Sequence, residues 1–476
     1  MAPKWRKAQG ENARLKIMEV RDDLTVCTIS ELEDARNQPS LKWQKPGGTQ
    51  VTCLFRDQAG RPHPSGGDVA HTWHIGGQTS KETCGGDEVL FLVFIFYVVV
   101  LFAFYLFGFC LSLLAFLFVI LSCFINYNAI DKCWRRDPNW ANHRTSLANC
   151  AKGFGSYAMG GIGGGIYIVT RDDDNALNPL FGTLRYGVTR DQPLWIVFAR
   201  DMEIHLQMPL FFASHKTIDA RGAKVTISNG ACITLYNTSN VIIHGLTIHD
   251  CQPSGSGDVL IYESKGVVRD YPMDGDGISV ISSRDIWLDH NTISHCSDGL
   301  IDVTLGSTAV TISNNRFFNH NEVMLLGNSD TYTPDLNMRV TVAFNHFGPD
   351  LMQRMPRCRL GYVHVANNYY EPWGIYAIGG SSNPTILSEA NWFMGPSDYT
   401  KKQVTQQHEC TSGSPCVWRS IHDMFLGGSY FTQSGWGNAY PTYDQRQEFE
   451  IAIVNLVPTL TKNVGTLDCL SSKPRW

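Results

Sequence analysis

Short apolar runs separated by turns dominate the chain from Asn128 onward, and no long helical period interrupts them. Runs such as LWIVFA, CITLYN and VIIHGLTI have the length and the β-branched content of strands. Two earlier segments differ. Residues 1–88 are polar, carry Pro and Gly clusters and show no clear period, whereas residues 89–125 contain no charged residue. The pattern predicts an all-β domain over residues 126–476, behind a polar, loosely folded or disordered extension and an apolar run.

A repeat is visible in the second half of this domain. The segments IWLDHNTI, VTISNNRF, VTVAFNHF, VHVANNYY and ILSEANWF each have Asn at the sixth place and an aromatic residue or Ile at the eighth. The asparagines are Asn291, Asn315, Asn345, Asn368 and Asn391, at spacings of 24, 30, 23 and 23 residues. A period in the low twenties, made of short strands and turns, predicts a parallel β-helix whose coils stack at about 4.8 Å.

The repeated positions have a structural explanation. Asn tolerates the left-handed conformation at a bend, and its amide can bond to the Asn of the coil above or below. We therefore predict an asparagine ladder inside the coil. The aromatic side chains of the repeat are predicted to stack in the core: Trp287, Phe317, Phe347 and Tyr370.

Charge and cysteine content narrow the class of protein. The formal net charge is −5 and no basic stripe is present, so we expect no nucleic-acid partner. Fourteen cysteines suit a large secreted domain with a few disulfides, or a reduced protein with scattered thiols. The spacing of Cys133 and Cys150 favours a disulfide between them. Asn237 begins a sequon for N-glycosylation.

The apolar run over residues 89–125 has more than one interpretation. A single membrane-spanning helix needs about 20 apolar residues, so this run is too long for one and could form two, turning near Gly108. It lies too far into the chain for an ordinary signal peptide. A membrane anchor, a displaced signal sequence and the translation of a retained intron, which would be a gene-model artefact, all remain open.

Carboxylates and arginines gather between DGDGIS and QRMPRCR. The repeat places Asp274 one coil before Asp298, side by side with it. Asp302 follows four residues later, about 13 Å away in an extended strand, so the chain must bend between them, and Gly299 supplies the freedom. Three carboxylates brought together require a cation, and oxygen ligands favour Ca²⁺. Arg354 lies two coils beyond Asp298, on the order of 10 Å away.

From about Ala129 to the C-terminus the chain resembles the plant pectate lyases, family 1 of the polysaccharide lyases, which are related to certain pollen allergens. The resemblance is carried by long motifs: AIDKCWR, PLWIVFARDM, SHKTIDARGA, IIHGLTIHDC, DGDGIS, IWLDHN, DGLID, HNEVMLLG, QRMPRCR and YAIGGSSNPTI. It implies a right-handed parallel β-helix that binds calcium and cleaves de-esterified pectin by β-elimination. It also implies calcium ligands at Asp274, Asp298 and Asp302, a catalytic base at Arg354 and a substrate-carboxylate binder at Arg359.

The implied chemistry suits these residues. The substrate is a chain of galacturonates whose C5 hydrogen lies α to a carboxylate, and a bound cation would stabilise the enolate-like species formed when that proton leaves. A free arginine keeps its proton to above about pH 12. Positive neighbours such as Arg357 and Arg359 disfavour the charged form of Arg354, so we predict an alkaline pH optimum.

Three alternatives remain beside a pectate lyase that is secreted to the cell wall as a monomer. A pectin lyase would not need the aspartates, and a β-helix polygalacturonase would use paired acids without an opposing arginine. A non-catalytic pectin-binding or pollen-allergen-like relative is harder to exclude, because the segment ESKGVVRDYPM before DGDGIS is an unusual version of that loop. The sequence up to Ile125 does not resemble the family.

Overall fold

A computed structural model describes two parts of the chain in full, residues 127–408 and 416–467, and the backbone of four strands before them. The apolar run over residues 89–125 lies outside the described residues, and so do the interpretations attached to it. In the described part, no helix combines the length and the apolar character needed to cross a membrane. The contacts divide the chain into two units, Met1–Lys81 and Glu82–Trp476.

In the first unit the described backbone forms two antiparallel hairpins. They fall within the segment in which the sequence showed no strand period. Each hairpin pairs two consecutive strands. The strands are β1 (Leu15–Val20) with β2 (Asp23–Thr28), and β3 (Ser40–Gln44) with β4 (Gln50–Leu54).

The second unit is a parallel β-helix, as the repeat predicted. Within the described residues its strands form three long parallel sheets, and each coil visits sheet 2, sheet 3 and sheet 1 in turn. Sheet 1 contains β8 (Leu210–Phe211), β11 (Ile233–Tyr236), β16 (Ile278–Ile281), β19 (Ile301–Thr304), β23 (Met324–Leu326), β27 (Arg357–Arg359), β30 (Ile378–Ser381) and β33 (Thr405–Gln407). Sheet 2 contains β5 (Gly165–Val169), β6 (Leu194–Phe198), β9 (Lys216–Asp219), β12 (Ser239–His244), β17 (Arg284–Asp289), β20 (Thr308–Ser313), β24 (Arg339–Ala343), β28 (Tyr362–Ala366), β31 (Thr385–Glu389) and β34 (Val417–Ile421). Sheet 3 contains β7 (Met202–Ile204), β10 (Val225–Ser228), β13 (Leu246–His249), β18 (Thr292–Ser294), β21 (Arg316–Phe318), β25 (His346–Phe347), β29 (Tyr369–Tyr370), β32 (Trp392–Met394) and β35 (Met424–Leu426).

The remaining elements lie in loops and at the ends of the coil. An antiparallel hairpin, β14 (Val259–Tyr262) with β15 (Gly266–Val268), and a short parallel pair, β22 (His320–Glu322) with β26 (Leu351–Gln353), both lie in loops between sheets 3 and 1. The α-helices of the described residues are short: α1 (Asp131–Trp134), α2 (Leu184–Thr189) and α3 (Val457–Leu460). The 3₁₀ helices are Arg144–Asn149, Phe154–Tyr157, Thr333–Asn337, Tyr399–Lys401 and Val454–Leu456.

The predicted asparagine ladder is confirmed. The backbone N–H of Asn315 donates to Oδ1 of Asn345 at 2.9 Å, and its side-chain amide donates to the same oxygen at 3.1 Å. The same pair of bonds joins Asn291 to Asn315, Asn345 to Asn368 and Asn368 to Asn391. At the end of the ladder, Asn391 donates instead to the carboxylate of the partly buried Asp423. Every rung lies between sheets 2 and 3, so the ladder fixes the register of both.

One detail of the sequence interpretation was wrong. The ladder asparagines do not occupy the left-handed region. The residue before each of them does, and examples are Phe344 at φ 58° and Ala390 at φ 51°. Asn is therefore needed in this frame for its hydrogen bonds, which satisfy buried backbone groups, and not for its tolerance of positive φ.

The interior of the coil is an aromatic and aliphatic stack. Phe317, Phe347 and Tyr370 are fully buried and stack face to face, with ring centroids 5.1 and 4.7 Å apart. This confirms the core assignment for those three residues. Trp287 is buried as well, but it packs in a second cluster outside the coil, and its indole N–H donates to Oγ of Ser313 at 2.9 Å.

The outer face of sheet 2 is covered by the segments at both ends of the domain. This cluster includes Trp134, Trp140, Trp195, Ile242, Trp287, Phe344 and, partly buried, Phe449. The predicted disulfide between Cys133 and Cys150 is present and braces the N-terminal segment. A second disulfide joins Cys232 to Cys251, while Cys296 and Cys358 are free and buried.

A buried ion cluster ties the N-terminal segment to the coil. Asp219 accepts two hydrogen bonds from the guanidinium of Arg221, each at 2.8 Å, and lies 3.0 Å from Nη1 of Arg144. The indole N–H of Trp195 donates to the same carboxylate. Burial by itself raises the pKa of Asp219, but the two guanidinium groups outweigh this, and the pKa lies well below its usual value.

We predict that Asn345→Ala lowers the free energy of unfolding by about 3 kcal/mol, because it leaves the N–H of Asn315 and the carbonyl of Ile312 buried without partners. The change is measured by urea and thermal denaturation. The matched control is Asn142→Ala at an exposed position, where we expect little effect. Equal stability of the two variants would contradict a structural role for the ladder.

We predict that Asp219→Asn destabilises the protein by about 3–5 kcal/mol at pH 7, because two arginines lose their buried counter-ion. The pKa of Asp219 is lower in the folded protein than in the unfolded chain. Its contribution to the free energy of unfolding is therefore complete above the unfolded pKa of about 3.9 and is lost as the pH falls below that value. The gap in melting temperature between wild type and variant should narrow between pH 5 and pH 2, measured by calorimetry. Asp173→Asn, which breaks an exposed ion pair with Arg171, is the control.

Candidate active site

Three carboxylates converge where the loops between sheets 3 and 1 meet the face of sheet 1. Asp274, Asp276 and Asp298 each present an oxygen such that these atoms all lie within 4.8 Å of one another. Asp274 and Asp276 come from the loop before β16, and Asp298 comes from the next coil. Gly275 separates the first two at φ 101°, a conformation open mainly to glycine. The structure thus brings Asp274 beside Asp298, as the repeat indicated.

Asp276 is the buried member of the cluster, at 8% exposure. Its Oδ1 accepts the backbone N–H of Gly299 at 2.8 Å, and its Oδ2 accepts the hydroxyl of Ser279 at 2.7 Å. Sequence analysis missed Asp276, because one repeat interval back from Asp298 leads only to Asp274. The second Asp of DGDGIS was the available signal.

Asp302 lies on β19, with its neighbours Ile301 and Val303 in the core, so its side chain is on the outer face. Its Oδ1 accepts the N–H of Leu325 at 3.2 Å. Asp302 is not one of the three clustered carboxylates, but it lies close to Asp276. A Cβ atom added to Gly299 would lie within 3.0 Å of a carboxylate oxygen of each residue. Glycine is required there for space. Its φ is not positive, so the conformational reason given from the sequence was wrong.

Burial and mutual repulsion make these carboxyl groups hard to ionise. Burial, with the nearby charge of Asp274, raises the pKa of Asp276 to about 6. Burial also raises the pKa of Asp298, and Asp274 and Glu322 add to this rise. The pKa of Asp302 is raised well above its usual value by burial and then by Asp276. This concentration of negative charge needs a positive complement.

Arg354 lies two coils along from Asp298, as predicted. It follows β26, and its backbone carbonyl accepts the N–H of Met324 at 2.8 Å. The short parallel pair of β22 with β26 places Glu322 opposite Gln353, next to Arg354. Nη2 of Arg354 lies 2.6 Å from Oε1 of Glu322. Sequence analysis missed this partner, because Glu322 lies outside the repeat frame.

Arg359 ends β27 on the outer face of sheet 1. Its Nη1 donates to the carbonyl of Asn328 at 2.8 Å, and its Nε lies 3.5 Å from Oδ1 of Asp330. Burial lowers the pKa of Arg359, and the charge of Arg357 lowers it further. Asp330 is itself held by the hydroxyl of Ser381 at 2.6 Å. Arg359 therefore faces the same groove as Arg354 but belongs to a separate ion pair.

The donor set fits a hard divalent cation. The clustered groups offer only oxygen atoms, which Ca²⁺ prefers and which zinc or copper would not select. Burial and the neighbouring carboxylates raise the pKa values of Asp276 and Asp298, and a bound cation would offset both effects. Asp274, Asp276 and Asp298 could hold the ion directly, and Asp302 lies at the edge of the cluster.

Known proteins share this sequence and architecture. A family model described as pectate lyase matches residues 207–414. Pectate lyase 1 of Chamaecyparis obtusa is 55% identical over 368 residues, which cover 76% of this chain and 98% of that protein. Putative pectate lyase 2 of Arabidopsis thaliana is 52% identical over 354 residues, 73% of this chain and 90% of that protein.

Solved structures agree with the fold. The crystal structure of Jun a 1, the major allergen from cedar pollen, superposes with a TM-score of 0.70 at 56% identity and covers 71% of this chain and 99% of that one. A thermostable pectate lyase at 19% identity, with a TM-score of 0.51 and coverage of 66% and 96%, shows the same fold. Identity above half, across nearly the whole length of the relatives, is decisive. The chain therefore belongs to the pectate lyase family of enzymes.

Proposed function

We propose that this protein is a calcium-dependent pectate lyase that cleaves α-1,4-polygalacturonate by β-elimination and releases unsaturated oligogalacturonides. One observation carries the proposal. In a chain of this family, a cluster of carboxylates with raised pKa values and an arginine two coils away border the same face of sheet 1. The order of acid and base along the groove matches a polyanionic chain whose carboxylates need a cation and whose C5 proton needs a base.

The carboxylate cluster would hold the ion through Asp274, Asp276 and Asp298, with Asp302 available beside them. When bound, calcium supplies positive charge that offsets the carboxylate of the substrate and the negative charge that develops at C5. Ser279 and the N–H of Gly299 orient Asp276, so its oxygens are fixed before any ligand arrives. This preorganisation favours binding, because little freedom is lost when the site fills.

Arg354 would act as the base that accepts the C5 proton. In the structure its guanidinium is paired with Glu322, so this pair must open and the side chain must lose a proton to solvent before it can accept the one from C5. The C4 oxygen then leaves without attack by water, and the product carries a C4–C5 double bond. A guanidine accepts a proton only when it is neutral, and an arginine side chain loses its proton only at high pH, so we expect an alkaline optimum.

Arg359 would bind a substrate carboxylate. Its outward position on β27 places it in the groove, and the exposed edge of its guanidinium can exchange the 3.5 Å contact with Asp330 for a closer one with a uronate. The wall polysaccharide would be met outside the cell. The disulfides Cys133–Cys150 and Cys232–Cys251 support such an oxidising location.

A non-catalytic pectin-binding protein is the second candidate. It is favoured by the ion pairs that engage Arg354 with Glu322 and Arg359 with Asp330, since a permanently paired arginine neither accepts a proton nor binds a uronate. Binding without turnover would follow if these pairs do not open. Measurement of product separates the two functions.

We predict that the protein forms unsaturated product from polygalacturonate, detected by ultraviolet absorbance, only when calcium is present. A chelator should abolish the signal, and added calcium should restore it. Asp276→Asn should raise the calcium concentration for half-maximal rate about tenfold, because a buried ligand loses its charge. Asp172→Asn, in an exposed ion pair with Arg200, is the control and should leave the requirement unchanged.

The outcomes are distinct. Turnover that persists after complete chelation would exclude the role of calcium. Absence of product from the calcium-loaded protein, with oligogalacturonate binding retained, would favour the non-catalytic candidate.

We predict that Arg354→Lys lowers kcat by at least about 100-fold, because a lysine amine cannot reproduce the position of the guanidine nitrogen that takes the proton. The melting temperature and the calcium affinity should stay within error of wild type. Arg284→Lys, which replaces an exposed arginine on β17, is the matched control. Retention of more than half the wild-type kcat in the Arg354 variant would show that another group removes the proton.

A further inference from the structure

An exposed tryptophan stands on an uncharged part of the C-terminal tail. The side chain of Trp436 is 89% exposed, and Tyr440, four residues later, is 57% exposed. The stretch that contains both, residues 424–443, has no charged residue. Gln433 and Asn438 add exposed amide groups to it. The Trp436 surface, formed by these four side chains, is therefore aromatic, able to form hydrogen bonds, and uncharged.

The loop that carries Trp436 is held from beneath by one arginine. The guanidinium of Arg419 donates to the carbonyls of Ser434 at 2.7 Å, Gly435 at 3.1 Å and Gly437 at 2.9 Å. Trp436 lies between the two glycines, which have φ angles of 67° and 108°. A Cβ on the first glycine would lie 1.6 Å from a backbone carbonyl oxygen next to β34, so only glycine fits there. The loop thus fixes the position of the ring before any ligand arrives, which favours binding.

The Trp436 surface lies around the corner from the groove, beside its basic end. Ser434 forms an antiparallel bridge with Trp418 on β34. The carbonyl of Ala439 accepts the hydroxyl of Tyr362 at 2.6 Å, and Tyr362 begins β28 three residues after Arg359. The tail between these two anchors therefore crosses two coils, about 10 Å, along the turns that join sheet 1 to sheet 2. A polysaccharide that extends past the basic end of the groove comes within reach of it.

The chemistry of this surface suits an uncharged sugar. The C–H groups on one face of a sugar ring can pack against the indole of Trp436, while the sugar hydroxyls bond to the amides of Gln433 and Asn438. A uronate carboxylate would lose hydration here and find no counter-charge on residues 424–443. A methyl-esterified galacturonate has no charge to desolvate, and its methyl group adds apolar area to the contact.

We propose that the Trp436 surface binds uncharged, methyl-esterified units of a pectin chain whose charged units occupy the groove. The inference rests on the proposed function for the identity of its ligand. Both sites would bind one chain, so the second contact is intramolecular and raises the affinity for long, partly esterified chains above that for short acidic ones. The surface would therefore select which region of the polymer is brought to the groove.

The test compares wild type with Trp436→Ala, Trp436→Phe and Arg419→Gln. Electrophoresis in gels that contain highly methyl-esterified pectin gives Kd. Trp436→Ala should raise Kd about tenfold, because one large aromatic contact is lost, and Trp436→Phe should recover part of the affinity. Arg419→Gln keeps the ring but frees the loop, so it should raise Kd about threefold. The matched control is Phe181→Ala, which removes a 74% exposed ring elsewhere and should bind as wild type.

The charge of the ligand and the emission of the tryptophan supply two further readouts. Affinity for trigalacturonate, in which every unit is charged, should change less than twofold in Trp436→Ala. Methyl-esterified oligogalacturonate should protect Trp436 from quenching by acrylamide, and the difference between wild type and Trp436→Phe isolates its emission. Melting temperatures establish that each variant is folded.

Three results would overturn the proposal. The first is an affinity for esterified pectin within twofold of wild type in folded Trp436→Ala, and the second is an equal loss of affinity for polygalacturonate. The third is a dimer, detected by light scattering, that Trp436→Ala abolishes without changing pectin affinity, since the surface would then bind a second copy of the chain. Failure of the lyase assignment looks different, because wild type would yield no unsaturated product while the binding differences among the variants persisted.

Discussion

The register between neighbouring coils is the constraint on which the rest of this structure depends. Side chains alternate between core and surface along every strand, so a slip of one residue would turn Asp302 and Arg357 inward and Cys358 outward. The asparagine ladder opposes such a slip, because each rung from Asn291 to Asn391 pairs with one specific backbone N–H of its neighbour. The stacked rings of Phe317, Phe347 and Tyr370 reinforce the same register inside the coil.

The groove uses this regular scaffold to hold charges that would not otherwise stay together. Acidic groups repel one another at Asp274, Asp276 and Asp298, and burial together with this repulsion raises the pKa values of Asp276 and Asp298. Two coils along, three arginines crowd together, and only part of their charge is balanced by Glu322 and Asp330. Under the proposed function, a polyuronate chain with calcium would balance the charge at both ends.

The rigidity needed to hold these charges together comes from contacts outside the groove. On the opposite side of the coil, the terminal segments cover sheet 2, and Asp219 anchors one of them through Arg144 and Arg221. His290 joins both terminal segments to the coil. Its two ring nitrogens face the carboxylate of Asp131 and the carbonyl of Gly465, which can only accept hydrogen bonds, so the ring is protonated. Asp131 outweighs the effect of burial and raises the pKa of this histidine.

The sequence by itself determined the features that repeat. A period in the low twenties gave the β-helix, the ladder and the coils on which Asp298, Asp302 and Arg354 lie, because stacking converts a fixed interval into adjacency. Loops between sheets 3 and 1 have no period, so the pairing of Glu322 with Arg354 and the place of Asp276 in the cluster could not be foreseen. Those contacts join residues of different coils through irregular backbone, and only the tertiary structure decides them.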